Sequence, residues 1–286
     1  MEKIVKKVKE FNELVMFQHS IFSLPFIFIA MIVASDGWFG WILLILGLLA
    51  ALSARNFAMG LNRYADRDID SQNIRTSSRP SVDGRLSSSA ILIFTTVNAL
   101  IFIGVAYNIN TLAFYLSMPI LAILASYSYF KRFSSLAHVV LGISLALAPI
   151  AGVVAVTGAI SVWSLLLSLG VLFWVAGFDL LYSLQDMEFD MEQQLHSIPS
   201  KYGADATLLL SAFFHINTVL FWLFFVICAD LGFFAYIAVG FSALMLTYEH
   251  YLVRKDFRQI DRAFFTINGY LGIIFLILII LDRIFT

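Results

Sequence analysis

Uncharged apolar runs recur along the chain, separated by short polar breaks. A helix that spans a bilayer takes about 20 mainly apolar residues. Nine runs meet that length, at about 17–35, 39–61, 90–108, 111–130, 137–157, 163–183, 206–228, 231–251 and 264–282. They predict an all-α, polytopic membrane protein with the lipid bilayer as its solvent. Pro25, Pro119 and Pro149 fall inside these runs, where spanning helices tolerate proline if neighbours satisfy the freed carbonyls. The first 16 residues differ: they are charged, with Ile4, Val8, Phe11 and Val15 at helical spacing. Two readings stay open for them, an amphipathic helix on the membrane surface and a basic leader that orients the first span. No cleavable signal peptide is read there. The expected organisation is a cytoplasmic leader, 1–16, and a single membrane domain, 17–286.

Composition agrees with the pattern, since 60% of the 286 residues are hydrophobic and 13% charged, against about 25% charged in soluble domains. The distribution of charge adds orientation. Of the 18 Lys and Arg, 16 lie in the leader or after spans two, four, six and eight. The positive-inside rule then places the N-terminus and the longer loops in the cytoplasm, in a multi-pass protein of the cell (inner) membrane. A net charge of −1 argues against a nucleic-acid partner. The single cysteine, Cys228, lies in an apolar run and reads as a buried, inert thiol.

Two acidic segments follow spans two and six. In the first, Asn62, Asp66 and Asp70 recur at i, i+4 and i+8, with Arg55 seven residues earlier; in the second, Asp179, Tyr182, Asp186 and Asp190 fall at 0, 3, 7 and 11. Both spacings predict one helical face. Asp66 and Asp186 are 120 positions apart, as are Asp70 and Asp190, which an internal duplication would explain. Like charges at i, i+4 repel, and carboxylates near hydrocarbon are costly, so the stripes call for a cation. Aspartate and asparagine oxygens without His or Cys suit magnesium; the candidate ligands are Asn62, Asp66, Asp70, Asp186 and Asp190. Arg67, Lys131, Arg55 and Arg79 are available to meet phosphate oxygens.

These residues resemble a known family. Asn62-x3-Asp66-x3-Asp70 followed by Arg75-Thr76-x-x-Arg79-Pro80, then Tyr127-x3-Lys131, then Asp186-x3-Asp190 is similar to the motif set of the UbiA superfamily of intramembrane prenyltransferases. Gly177-Phe-Asp179-Leu-Leu-Tyr182-Ser-Leu-Gln185-Asp186 and His196-Ser-Ile-Pro199 look like the subgroup of 4-hydroxybenzoate polyprenyltransferase and its menaquinone-pathway relatives. The resemblance implies nine helices around a central cavity. It also implies Mg2+-dependent transfer of a polyprenyl group from polyprenyl diphosphate to an aromatic acid. In that scheme the diphosphate sits between the aspartate motifs, Tyr127 and Tyr182 shelter an allylic cation, and Arg132 meets the acceptor carboxylate. Asp179 orients Arg55 or takes the ring proton.

Other polar residues carry less. His19, His138, His215 and His250 are scattered over different spans and read as satisfied membrane histidines. Asn268 is expected to bond between helices, Glu249 and His250 to reach the interface, and Asp68, Glu188 and Glu192 to be solvated. A secondary transporter would also use intramembrane acids, but near the midplane. An alcohol phosphatidyltransferase would need a motif in which Asp-Gly and Ala-Arg elements are paired, and that motif is absent from the sequence.

Overall fold

The computed structural model describes residues 2–16, 22 and 24–286. Among them there are helices and no strands, as the apolar runs predict. In chain order the helices are α1 (Glu2–Leu14), α2 (Leu24–Ala34), α3 (Trp41–Ala65), the single-turn α4 (Arg67–Asp70), α5 (Ser88–Ile109), α6 (Thr111–Phe130), α7 (Ala137–Thr157), α8 (Val162–Ser183), α9 (Met187–Glu192), α10 (Ile198–Cys228), α11 (Phe233–Lys255), α12 (Ile260–Arg262) and α13 (Asn268–Phe285).

Among the described residues, seven helical stretches are long and apolar enough to cross a membrane, so the protein is multi-pass. The other two expected spans are represented differently. The first is seen as α2, an apolar helix of 11 residues that starts beside Pro25, because proline lacks a donor and is accepted in a first turn. Residues 17–21 and 23 of that span, with His19, fall outside the described residues. The expected eighth span is α11, whose 23 residues end in Glu249, His250, Arg254 and Lys255.

Local chemistry sets several boundaries. α10 is broken at Gly203 (φ 80°, ψ 174°), so its long continuous part starts close to the expected residue 206, and the short turn before it is capped reciprocally by Ser197 and Ser200 with Pro199 inside it. The segment before α13 winds as a π-helix over Ala263–Ile267, a widened turn often found at functional sites. It places Phe264 against Tyr182, with ring centroids 4.3 Å apart.

α8 is the central helix, packed between α7 and α10. Two glycines let α10 approach it. A Cβ on Gly170 would lie 2.2 Å from the Trp222 ring, and one on Gly177 would lie 2.4 Å from the His215 ring. Trp174, Trp222, Phe26, Phe225 and Phe275 then fill the core, each large ring burying 150–250 Å². A polar chain runs through it: the Trp174 indole donates to Asn268 Oδ1 at 2.7 Å, and Asn268 Nδ2 donates to Glu249 Oε1 at 2.7 Å. Asn268 thus bonds between helices as expected.

Three expectations from the sequence need correction here. Glu249 is buried and stays in the core; His250 also turns inward, to His215, with 3.0 Å between ring nitrogens. Neither reaches the interface, because in a spanning helix the cheapest partner for a polar group is another helix. Cys228 is exposed on the outside of α10. An apolar run in a membrane helix has a lipid face as well as a core face, so apolarity does not imply burial.

Candidate active site

The acidic stripes are not continuous helices. α3 stops at Ala65, and Asp66 takes φ −94°, ψ 6° before α4 begins. α8 gives way to a short 3-10 turn (Leu184–Asp186), and Asp186 takes φ −101°, ψ 4° before α9 begins. Both aspartates therefore occupy the same sparsely populated bridge conformation, where active-site residues are often found. Asp70 and Asp190 lie one turn further on, in α4 and α9. The 120-residue correspondence in sequence is matched by a correspondence in backbone.

Each acid of the first segment has a cation on it. Lys131 Nζ lies 2.8 Å from Asp66 Oδ2, which also accepts from Asn62 Nδ2 at 2.8 Å. Arg79 Nη1 lies 2.7 Å from both oxygens of Asp70, and the Thr76 hydroxyl bonds the Asp70 carbonyl at 3.0 Å. Asp66 and Asp70 are buried. Burial pushes the Asp66 carboxyl up against the pull of Lys131.

The two segments meet through the loop after α4. Asn73 Nδ2 and Arg75 Nε donate to Asp186 Oδ1 at 3.1 and 3.0 Å, and Arg75 Nη2 pairs with Asp186 Oδ2. Arg75 Nη1 also donates to the Tyr182 hydroxyl at 2.9 Å. Sequence reasoning missed Asn73 and used Arg75 only as part of a motif tail; neither contact, spanning more than 100 residues, leaves a local signal. Asp190 has Ser197 beside it and feels Asp186, Lys131 and His138. The backbone N–H of His196 donates to the Lys131 carbonyl at 2.9 Å, tying α6 to the second segment.

Beneath this face lies a cavity of about 340 Å³. Asn62, Arg63, Arg55, Arg79, Asp179 and Tyr182 are polar residues of its wall. Tyr127, Phe178 and Phe264 form aromatic walls, and small or aliphatic residues such as Ala50, Ala54, Leu124 and Ala151 line the remainder. Two arginines of α3 brace its edge. Arg55 Nη2 donates to the Met16 carbonyl at 2.6 Å, and Arg63 Nε donates to the Leu14 carbonyl at 3.2 Å, satisfying carbonyls that the end of α1 leaves open. Arg55 Nη1 is buried without a hydrogen-bond partner. Arg63, overlooked in the sequence, is equally part of the wall.

Four expected placements differ. Arg67 turns away from the aspartates, donates to the Ser88 hydroxyl at 2.5 Å and lines an outer groove with Tyr64 and Tyr129. Arg132 lines the same groove, bonded to Asp68 at 2.6 and 3.0 Å and to the Ala65 carbonyl at 2.5 Å. It does not line the cavity: Lys131 and Arg132 lie in the turn that closes α6, and Arg132 also comes within 4.0 Å of Asp66 Oδ1. Asp68, expected to be solvated, is exposed but ion-paired, and Arg132 holds its carboxyl below the usual range. Asp179 does not hold Arg55; its Oδ2 pairs with His138 Nδ1 at 2.7 Å. Glu188 and Glu192 are exposed, as expected.

The donor set suits a hard divalent ion. Asp66 Oδ1 is buried without a hydrogen bond, a costly state that an approaching cation would relieve. No three acidic, His or Cys side chains of the described residues are gathered closely enough to hold an ion alone. Such an ion would rest on a few carboxylates and complete its shell with phosphate oxygens and water, as magnesium commonly does.

A family model described as the UbiA prenyltransferase family matches residues 23–278. The 4-hydroxybenzoate octaprenyltransferase of Alkalilimnicola ehrlichii is 30% identical over 235 residues, 82% of this chain and 80% of that protein. The apo structure of a UbiA homolog from Aeropyrum pernix K1 is similar with a TM-score of 0.83 at 32% identity, covering 92% of this chain and 98% of that one. A UbiA homolog from Archaeoglobus fulgidus, bound to DMAPP and Mg2+, shares the fold with a TM-score of 0.78 at 18% identity, covering 97% and 100%.

Proposed function

This chain belongs to the UbiA prenyltransferase family, and from that premise we propose that it transfers a polyprenyl group from polyprenyl diphosphate to an aromatic acid, releasing diphosphate. The acceptor we assign is 4-hydroxybenzoate, the acid named in its relative; a dihydroxynaphthoate has the same chemistry. Either product is a precursor of a quinone of the ubiquinone or menaquinone type. The observation that carries this reading is the bond from Asn73 and Arg75 to Asp186, which joins the two acidic segments over one cavity with an apolar interior.

The carboxylates now hold cations that would be exchanged on binding. Arg75, Arg79 and Lys131 turn to the phosphate oxygens, as guanidinium forks and ammonium groups favour. Asn62, Asp66, Asp186 and Asp190 are then free to hold Mg2+, joined by Asp70 once Arg79 leaves it. Magnesium, when bound, neutralises the charge that develops on the departing diphosphate. The C–O bond breaks with its electron pair on the diphosphate. The allylic cation left behind faces Tyr127, Tyr182 and Phe264, whose π-faces stabilise positive charge. A volume of about 340 Å³ is at the low end of ligand pockets; it takes the reacting end of the isoprenoid and the acceptor, and the tail extends into lipid.

Arg55 fits the acceptor carboxylate better than Arg132. Its Nη1 is buried without a hydrogen-bond partner and the residue lines the cavity, whereas Arg132 pairs with Asp68 and lines the outer groove. Asp179 takes the proton that the alkylated ring loses. We also infer nine spans, a cytoplasmic N-terminus and a cytoplasmic site in the inner membrane, from the 16 of 18 Lys and Arg beside that face. The test is prenylation of 4-hydroxybenzoate and 1,4-dihydroxy-2-naphthoate by the purified protein, with magnesium and with chelator. Transfer confined to the magnesium samples supports the reading; no transfer to either acid, or equal transfer in chelator, refutes it.

A further inference from the structure

His138 opens α7 and faces Asp179 on α8, two helices that pack along their length. The distance from His138 Nδ1 to Asp179 Oδ2 is 2.7 Å, and the imidazole is only 6% exposed. A carboxylate needs a donor, so the ring carries its proton on Nδ1. Nε2 is then left as a buried acceptor without a partner. Asp179 is arranged in the opposite sense. Its side chain is 22% exposed, it lines the cavity, and its Oδ1 accepts no hydrogen bond from a described residue.

We propose that His138 is a positioning residue for the aromatic half of the reaction, resting on the function proposed above. Its Nδ1–H fixes one oxygen of Asp179 and leaves the other directed at the cavity as the base that rearomatises the ring. After the ring carbon has bonded to the isoprenoid carbon, the C–H bond at that ring position breaks. Its electron pair returns to the ring, and the proton goes to Asp179 Oδ1. His138 keeps its proton throughout. The Nδ1–H orients the carboxylate through a single hydrogen bond to one oxygen, where an arginine fork would hold both. This accounts for a histidine, rather than a further arginine, beside Asp179.

The experiment compares wild type, His138→Ala and His138→Asn with protiated acceptor and with acceptor deuterated at the ring position that is alkylated. Each variant is first shown to bind a prenyl diphosphate with wild-type affinity in the presence of magnesium. A positioned general base contributes about 10²–10⁴-fold; losing only its orienting partner is expected to lower kcat about 10- to 100-fold in His138→Ala. The KM for the diphosphate stays unchanged, and a primary deuterium isotope effect appears that wild type lacks. His138→Asn, which keeps an N–H close to the Nδ1 position, recovers most of kcat and loses most of the isotope effect. The proposal is overturned if His138→Ala slows turnover without an isotope effect, if it turns over as fast as wild type, if Asn is no better than Ala, or if either variant loses diphosphate binding. Absence of any aromatic product from wild type overturns the functional reading itself, and is distinguishable from all of these.

Discussion

Replacing Arg55 by Gln separates the two substrates. The Arg55 guanidinium has one amino group fixed by the Met16 carbonyl at 2.6 Å and the other buried without a hydrogen-bond partner, and the residue lines the cavity. A hydrogen bond from a charged donor contributes about 1.5–3 kcal/mol, and each 1.4 kcal/mol is a factor of about ten. The KM for an aromatic acid is therefore expected to rise about 10- to 150-fold. The KM for the prenyl diphosphate changes little, because Arg55 touches none of the aspartates. Steady-state kinetics with each substrate varied in turn makes the measurement, with Arg132→Gln as the control expected to shift acceptor KM less than about 2-fold, as for a surface ion pair. A rise confined to the diphosphate KM, or a larger acceptor effect in Arg132→Gln, refutes the assignment.

The remaining predictions concern the bridge and the core. Arg75→Ala removes the guanidinium that now holds Asp186 and is expected to raise the KM for prenyl diphosphate about 10- to 100-fold, the loss of one or two charge-assisted bonds; an unchanged KM would show that Arg75 does not pass to phosphate. Gly170→Ala sets a Cβ 2.2 Å from Trp222 and is expected to cost about 1–3 kcal/mol through overpacking, read as a lower melting temperature in detergent. Asn268→Leu leaves both the Trp174 indole and Glu249 without their partner. A loss of about 2–4 kcal/mol is expected, and much of it should return in the Asn268→Leu, Glu249→Leu, Trp174→Phe triple variant, which deletes the orphaned groups. Thermal unfolding of the single and triple variants decides this, and a triple variant less stable than the single one would contradict it.

Helices were legible in the sequence because hydrocarbon forces every backbone group in a span to be satisfied internally, so apolar length alone marks them. The acidic segments were legible for the same reason, as carboxylates where apolar residues would cost less. The breaks at Asp66 and Asp186 were not, since spacings of 3, 4 and 7 fit a continuous helix as well as two short helices joined at a bridge residue. Side-chain partners were hidden more deeply. His138 and Asp179 are 41 residues apart and His215 and His250 are 35 apart, on helices whose adjacency only the packing decides. Gly170 and Gly177 carried a signal in hindsight: small residues in a spanning helix mark where a neighbour comes close. Arg132 and Lys131 looked equivalent in sequence, yet in the turn after α6 Lys131 pairs with Asp66 while Arg132 pairs with Asp68 and only approaches Asp66, at 4.0 Å.

The central claim is that the two acidic segments make one site. It is tested most directly by a double-mutant cycle on Asp66→Asn and Asp186→Asn, with magnesium-dependent turnover of polyprenyl diphosphate as the readout. If both carboxylates serve one magnesium–diphosphate group, either substitution alone is expected to remove most of the activity, about 10²–10³-fold as for loss of a group that stabilises the departing charge. The double variant is then expected to lose little more, because groups that act as a unit are strongly non-additive. Two single losses that multiply in the double variant, or substantial turnover surviving both substitutions, would contradict a shared site.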